Sequence, residues 1–232
     1  MKKSNIDQGA IFEIPLLKNQ GFLYCKILFA NSILSNLGGF NTLIVKVFDF
    51  HSFKSISNLD FLLENLNNCL NRDSLFTQPM IMNKLPYSRG LYKWNFIGNL
   101  GLNDKDIIPN FHDSVGKKKD LFDSKKNYYV LEVVSNLDRE QGGFIEYENA
   151  IKLPQYEYYS SDYIQCKLTM EFIIHNKEDI FNFISQEEFK EKWWFNKVLK
   201  DVLDTKLTFP IKTEDFIISN EILSNPSDLV YL

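Results

Sequence analysis

The sequence predicts an α+β protein: a curved antiparallel β-sheet or small barrel with one helix in the first half, and a second β-rich half with one amphipathic helix. Three observations predict it. Runs of aromatic and β-branched residues broken by turn-forming residues recur from Gly9 onward, the pattern of strands that pack a pleated face. Leu59, Leu62, Leu63, Leu66 and Leu70 recur at helical spacing, as one apolar helix face requires. Near the other end, Ser185 and Glu188 have the spacing of a capping box, and Phe195, Val198, Leu199 and Val202 continue as a core stripe.

In chain order, the first element is a hairpin. Gly9-Ala10-Ile11-Phe12-Glu13-Ile14-Pro15-Leu16 and Phe22-Leu23-Tyr24-Cys25-Lys26-Ile27-Leu28-Phe29 flank a short polar segment ending in Gly21, which supplies the positive φ that a hairpin loop needs. Residues 30–41 hold a turn-forming cluster, and Thr42 to Phe50 is apolar enough for a central strand pairing with the Phe22 run. A helix follows over 58–70, with Ser57 three residues before Asp60. Residues 75–91 are irregular, Pro79 and Pro86 limiting any helix. Leu91 to Gly98 alternates as a strand whose aromatic face, Tyr92, Trp94 and Phe96, is expected to point inward. Ile107 to Phe111 reads as extended.

These elements place a β-rich domain at 1–116. Lys117-Lys118-Lys119 and Lys125-Lys126 mark 117–127 as a linker loop, and 128–232 is a second α+β subdomain. There Tyr128 to Val134 is a strand, Gln141-Gly142-Gly143 a turn, and Phe144 to Tyr147 a short strand. After Pro154, Ile164 to Ile174 reads as strand from the parity of Leu168, Met170, Phe172 and Ile174. Trp193 and Trp194 cannot face the same way, so one is expected to be partly exposed. The tail after Thr208 is broken by Pro210 and Pro226.

Composition narrows the function. A hydrophobic fraction of 44% and a charged fraction of 24% are those of a folded globular chain. The formal charge is -4, and Arg72, Arg89 and Arg139 are the only arginines. Readers of nucleic acid lean on basic excess and on arginine, so this balance argues against nucleic acid as partner and suits a basic one. Cys25, Cys69 and Cys166 are far apart, without a CxxC pair, and read as reduced cysteines of a cytoplasmic protein. No apolar stretch approaches the roughly 20 residues of a membrane span.

The residue types of catalysis do not converge. His51, His112 and His175 stand in different neighbourhoods without ligand spacing, so neither a metal nor another cofactor is expected. Gly38-Gly39 and Gly142-Gly143 lack a phosphate-loop context. Acid pairs such as Asp104 with Asp106 read as solvated surface. The segment that stands out is Tyr147 to Tyr163, where Tyr147, Tyr156, Tyr158, Tyr159 and Tyr163 mix with Glu157 and Asp162. Stiff amphipathic tyrosines beside carboxylates suit a face that meets a basic partner; a hairpin half-covering a core would carry the same residues.

The first half resembles the immunity protein twenty-six family of bacterial polymorphic-toxin systems. Gly9, Ile11, Phe12, Ile14, Pro15, Leu16, Gly21, Phe22 and Tyr24 stand in matching places, as do Val47, Phe48 and Asp49 in the next strand. Trp94, Ile97, Gly98, Pro109 and Phe111 resemble its tryptophan strand and the proline after it. The resemblance covers about residues 8–112, and its motifs are mainly structural. It implies a cytosolic antidote that binds a protein toxin domain and blocks it without chemistry of its own, the toxin often being a nuclease. Two other readings stay open: a small β-barrel module recognising nucleic acid or a peptide in a bacterial defence system, and an enzyme using scattered acids.

Overall fold

The computed structural model describes residues 8–31, 42–70, 74–82, 93–104, 106, 108–119, 127–135, 138–146, 153–185, 187, 195–204 and 211–212. Strand β1 (Ala10–Pro15) and strand β2 (Phe22–Asn31) form the predicted hairpin, in antiparallel register from Ile11 opposite Lys26 to Pro15 opposite Phe22. A 3-10 turn, Leu17–Asn19, reverses the chain, and Leu16 N–H donates to the Gly21 carbonyl at 2.8 Å. Gly21 has φ +93, and a Cβ there would lie 2.5 Å from His51 Nε2 and from the Ser52 carbonyl oxygen. Only glycine fits that place without displacing the next strand.

That strand, β3 (Thr42–Ser52), pairs antiparallel with β2 as the sequence predicts. Helix α1 (Leu59–Leu70) follows. Its cap is Asn58 rather than Ser57: the Asn58 Oδ1 accepts from the Asp60 N–H at 2.8 Å and the Phe61 N–H at 3.3 Å, satisfying donors that the first turn leaves without helical partners. The stretch read as irregular contains two short strands, β4 (Ser74–Leu75) and β5 (Met80–Met82), both antiparallel to β3. Strand β6 (Asn95–Asn99) returns to pair with β1.

Two compact units make up the chain. One comprises Met1–Asn103 with Tyr158–Ile211, the other Asp104–Glu157 with Lys212–Leu232. In the first, strand β10 (Tyr158–Tyr159) pairs parallel with β5, so the sheet is mixed and runs β10-β5-β3-β2-β1-β6. The end strands do not pair with each other, so the sheet is open and the barrel alternative falls. Helices on both faces bury the apolar side chains that closure would otherwise have to bury.

The clearest correction concerns residues 164–174. They belong to helix α2 (Ser161–His175), not to a strand. The Ser160 hydroxyl oxygen caps it, accepting from the Tyr163 N–H at 3.2 Å. Ten of its residues, from Tyr163 to Ile173, are buried around most of its circumference, including Ile164, Leu168, Met170 and Ile173 at 0% exposure. Gln165, Thr169 and Glu171 are buried polar residues of this helix, so its polar positions mark no solvent face, and their alternation with Ile164, Cys166, Leu168, Met170 and Phe172 imitates a strand.

Helix α2 and helix α3 (Phe195–Asp204) cover one face of the sheet. Phe12, Ile14, Leu23, Cys25, Val45 and Val47 from the strands meet Ile164, Leu168, Met170, Phe195, Val198 and Val202 there. Each such large side chain, fully buried, contributes about 1.5–3 kcal/mol. The stripe Phe195, Val198, Leu199 and Val202 thus packs as its spacing predicts. Glu188, Trp193 and Trp194 lie outside the described residues. The opposite face is smaller: Ile11, Tyr24, Phe48, Ile56 and Leu62 pack with Leu59 and Ile97 under α1. β1 to β3 read as continuous apolar runs because both their faces are covered.

The second unit holds strands β7 (Phe111–Lys119), β8 (Asn127–Ser135) and β9 (Asp138–Glu146) in an antiparallel sheet. Two expectations change here. Lys117-Lys118-Lys119 is not loop but the end of β7, opposite Tyr129, Tyr128 and Asn127. Gln141-Gly142-Gly143 is not a turn but lies within β9, Gly143 opposite Val133; the chain reverses between Ser135 and Asp138, which pair. Glycine pairs create no turn where a neighbouring strand supplies ladder partners. The last described strand, β11 (Ile211–Lys212), is two residues long.

Candidate partner-binding surface

The tyrosine and acid segment divides by burial. In the second unit, Tyr156 and Glu157 are half-buried, and the Tyr156 ring meets Phe111 edge-on at 6.2 Å. Tyr156 N–H donates to the His112 carbonyl at 2.6 Å, anchoring that stretch beside β7. In the first unit, Tyr159 and Tyr163 are core residues at 8% and 4% exposure, stacked at 4.5 Å. Tyr163 OH donates to the Asp201 carboxylate, and the Lys197 ammonium stands 5.8 Å from the Tyr159 ring centre, within cation–π range. Tyr158 is exposed and Asp162 half-buried in the first turn of α2. Tyr147 lies outside the described residues.

Sequence reasoning missed the most organised polar group in the first unit. Glu13 is fully buried within β1. Its Oε2 accepts from the Ile56 N–H at 2.8 Å and Tyr24 OH at 3.1 Å; its Oε1 accepts from Ser55 Oγ at 2.8 Å and Asn95 Nδ2 at 2.9 Å. Burial pushes the Tyr24 hydroxyl well above its ordinary range, so it stays a donor. Tyr24 OH also lies 2.7 Å from Ser52 Oγ. Four donors from β2, the loop after β3 and β6 converge on one carboxylate, which offsets the cost of burying it. The signal was an acid between Phe12 and Ile14 in an apolar run.

The loop that Glu13 holds, residues 53–58, carries the most exposed large apolar side chain described: Phe53 is 80% exposed, edge-on to His51 at 4.8 Å. His51 stacks on Phe172 of α2 at 4.2 Å and lies 2.6 Å from the Gln20 carbonyl oxygen through Nε2. Its role is therefore packing within the sheet and helix layers. On α1, Phe61 is 54% exposed between exposed Asp60 and Glu64. The expectation that Trp94 and Phe96 both face inward holds for Trp94, at 3% exposure, and fails for Phe96, at 61%. β6 ends the sheet with β1 as its neighbour in the strand order, so Phe96 touches Phe12 edge-on but, among the described residues, has no second strand to cover it.

Among the described residues, no group of three or more His, Cys, Asp or Glu is placed to hold a metal ion, and no helix is long and apolar enough to cross a membrane. Cys25 and Cys166 are buried free thiols, Cys166 pushed up to about 12 by burial. Such thiols are poor nucleophiles.

The family described as Immunity protein 26 matches residues 7–121. The matched part of the chain carries the hairpin, α1, β6 and the Glu13 node. The resemblance seen in the Gly9 to Tyr24 residues is thereby shown. No curated protein and no solved structure matches the chain.

Proposed function

We propose that this protein is a cytoplasmic immunity protein that binds a cognate bacterial polymorphic toxin and blocks it by occlusion, performing no chemistry itself. The observation that carries this reading is the Immunity protein 26 match over residues 7–121. The acidic balance of the chain, at -4, favours a basic partner such as a nuclease domain. Complementary charge speeds encounter, and buried aromatics slow release.

The contact face proposed from the sequence is the Tyr147 to Tyr163 segment. Of its tyrosines and acids among the described residues, Tyr158 and Asp162 in the first unit and Tyr156 and Glu157 in the second are exposed or half-buried. Tyr159 and Tyr163 pack in the core of the first unit. The test is co-expression with the toxin domain encoded beside this chain's gene. Growth rescue and a stable complex are expected; a toxin that kills regardless of this protein and does not bind it overturns the reading. Joint charge reversal of Glu157 and Asp162 tests the face: unchanged toxin affinity means that the partner docks elsewhere.

A further inference from the structure

We infer that the stretch from Phe53 to Asn65, the loop held by Glu13 together with the outer face of α1, is a docking surface for a protein partner whose basic side chains flank apolar pockets. The inference rests on the immunity reading for the partner's identity, but not on the tyrosine and acid segment. Three observations converge on this stretch.

First, its apolar side chains are offered to solvent rather than left over from the core. Phe53 and Phe61 are 80% and 54% exposed, while Ile56 and Leu62 beside them are buried at 9% and 0%. The chain thus divides its apolar residues between a packed face and a presented one. Scattered exposed apolar residues are ordinary, but two phenylalanines within nine residues of a rigid element make a potential anchor pair.

Second, the loop is fixed. Ile56 N–H and Ser55 Oγ are tied to the buried Glu13 carboxylate at 2.8 Å each, Ser52 Oγ donates to the Lys54 carbonyl at 2.8 Å, and Asn58 caps α1. A surface ordered before binding loses less conformational entropy on association, which is how a small aromatic surface gains affinity. A buried carboxylate with four donors is a costly device for a loop whose only role is connection.

Third, charge marks the partner. Asp60 and Glu64 flank Phe61 on the solvent side of the helix, and neither makes an ion pair among the described residues. Lys54 is the one basic residue between Phe53 and Asn65. Glu64 and Phe61 are three residues apart, so both side chains share one helix surface. Lysine or arginine of a partner would meet the carboxylates while Phe61 fills a pocket between them.

The experiment uses the full chain and, as probe, the toxin domain encoded beside its gene. Affinity is measured for wild type and for Phe53→Ser, Phe61→Ser and Glu64→Lys, with Phe181→Ser, 54% exposed on the 3-10 turn Ile180–Asn182, as a control outside the surface. Unfolding midpoints are recorded for each, so that loss of binding is not confused with loss of fold. The expected result is at least tenfold weaker binding for Phe61→Ser and Glu64→Lys at unchanged midpoint, weaker binding for Phe53→Ser, no change for Phe181→Ser, and a Glu64→Lys effect that shrinks at high salt. Wild-type affinity in all three variants, or an equal loss in Phe181→Ser, overturns this surface while leaving the immunity reading standing. Failure of the wild-type chain to bind the toxin overturns both.

Discussion

Replacing Glu13 with glutamine tests whether the buried carboxylate holds the first unit together. A glutamine presents one oxygen and one NH2 group where the carboxylate presents two oxygens. The better orientation leaves its oxygen at the Oε2 position, still accepting from the Ile56 N–H and Tyr24 OH. The NH2 then faces Ser55 and Asn95, both exposed and able to turn to water. The cost is the two charge-assisted bonds from Ser55 and Asn95, each worth about 1.5–3 kcal/mol, and weaker acceptance by a neutral oxygen, offset in part because the Ser55 hydroxyl and a turned Asn95 amide oxygen can accept from the new NH2. Glu13→Ala goes further. Tyr24 OH keeps Ser52 at 2.7 Å, but the Ile56 N–H loses its acceptor, adding about 1–3 kcal/mol for a buried unsatisfied donor. Relief from charge burial opposes both losses. Urea unfolding of the full chain gives the free-energy differences, and amide exchange at Ile56 reports whether the loop loosens before global unfolding. If Glu13→Gln is as stable as wild type and Ile56 exchanges no faster, the node does not hold the loop, and the case for a pre-ordered docking surface weakens with it.

Gly9→Ala is expected to lower stability by about 1–3 kcal/mol from its positive φ alone, and by more because the new Cβ would lie 2.5 Å from the Gly101 backbone; thermal unfolding measures it. Thr169→Val keeps the side-chain shape but removes the oxygen that accepts from the Leu17 N–H at 3.0 Å, so a loss of about 1–3 kcal/mol is expected in urea unfolding; an unchanged midpoint would show that α2 does not need that tie to the hairpin turn. Cys166 is raised from an ordinary 9.0 to about 12, so the folded state keeps a proton that the unfolded chain releases between these values. Its contribution to stability is therefore complete below about pH 9 and is lost as pH rises toward 12. At pH 8, Cys25 and Cys166 should resist a thiol-labelling reagent until denaturant is added; rapid labelling of the native chain at either of these two positions, read by peptide mapping, would contradict their burial.

Much of the first unit was legible because its signals are local. The hairpin was fixed by Gly21 with two apolar runs, β3 by its continuous hydrophobicity, and α1 and α3 by leucine or phenylalanine and valine stripes that one covered face imposes. The Gly9 to Tyr24 residues also carried the resemblance to the immunity family whose model matches residues 7–121. What the sequence could not decide depends on residues far apart in the chain. Helix α2 hid its period because Gln165, Thr169 and Glu171 are buried with the apolar residues, Thr169 accepting from the distant Leu17 N–H, so polarity does not mark its solvent side. Phe96 looked inward until its strand was placed at the sheet's end, since an edge position is a property of strand order and not of alternation. Tyr158 and Tyr159 look alike in sequence, yet β10 pairing exposes one and buries the other. Glu13 read as one acid among thirty Asp and Glu. Only the tertiary structure brings Tyr24, Ser55, Ile56 and Asn95 to it, because hydrogen bonds across up to 82 residues of chain form only where the sheet and loop meet.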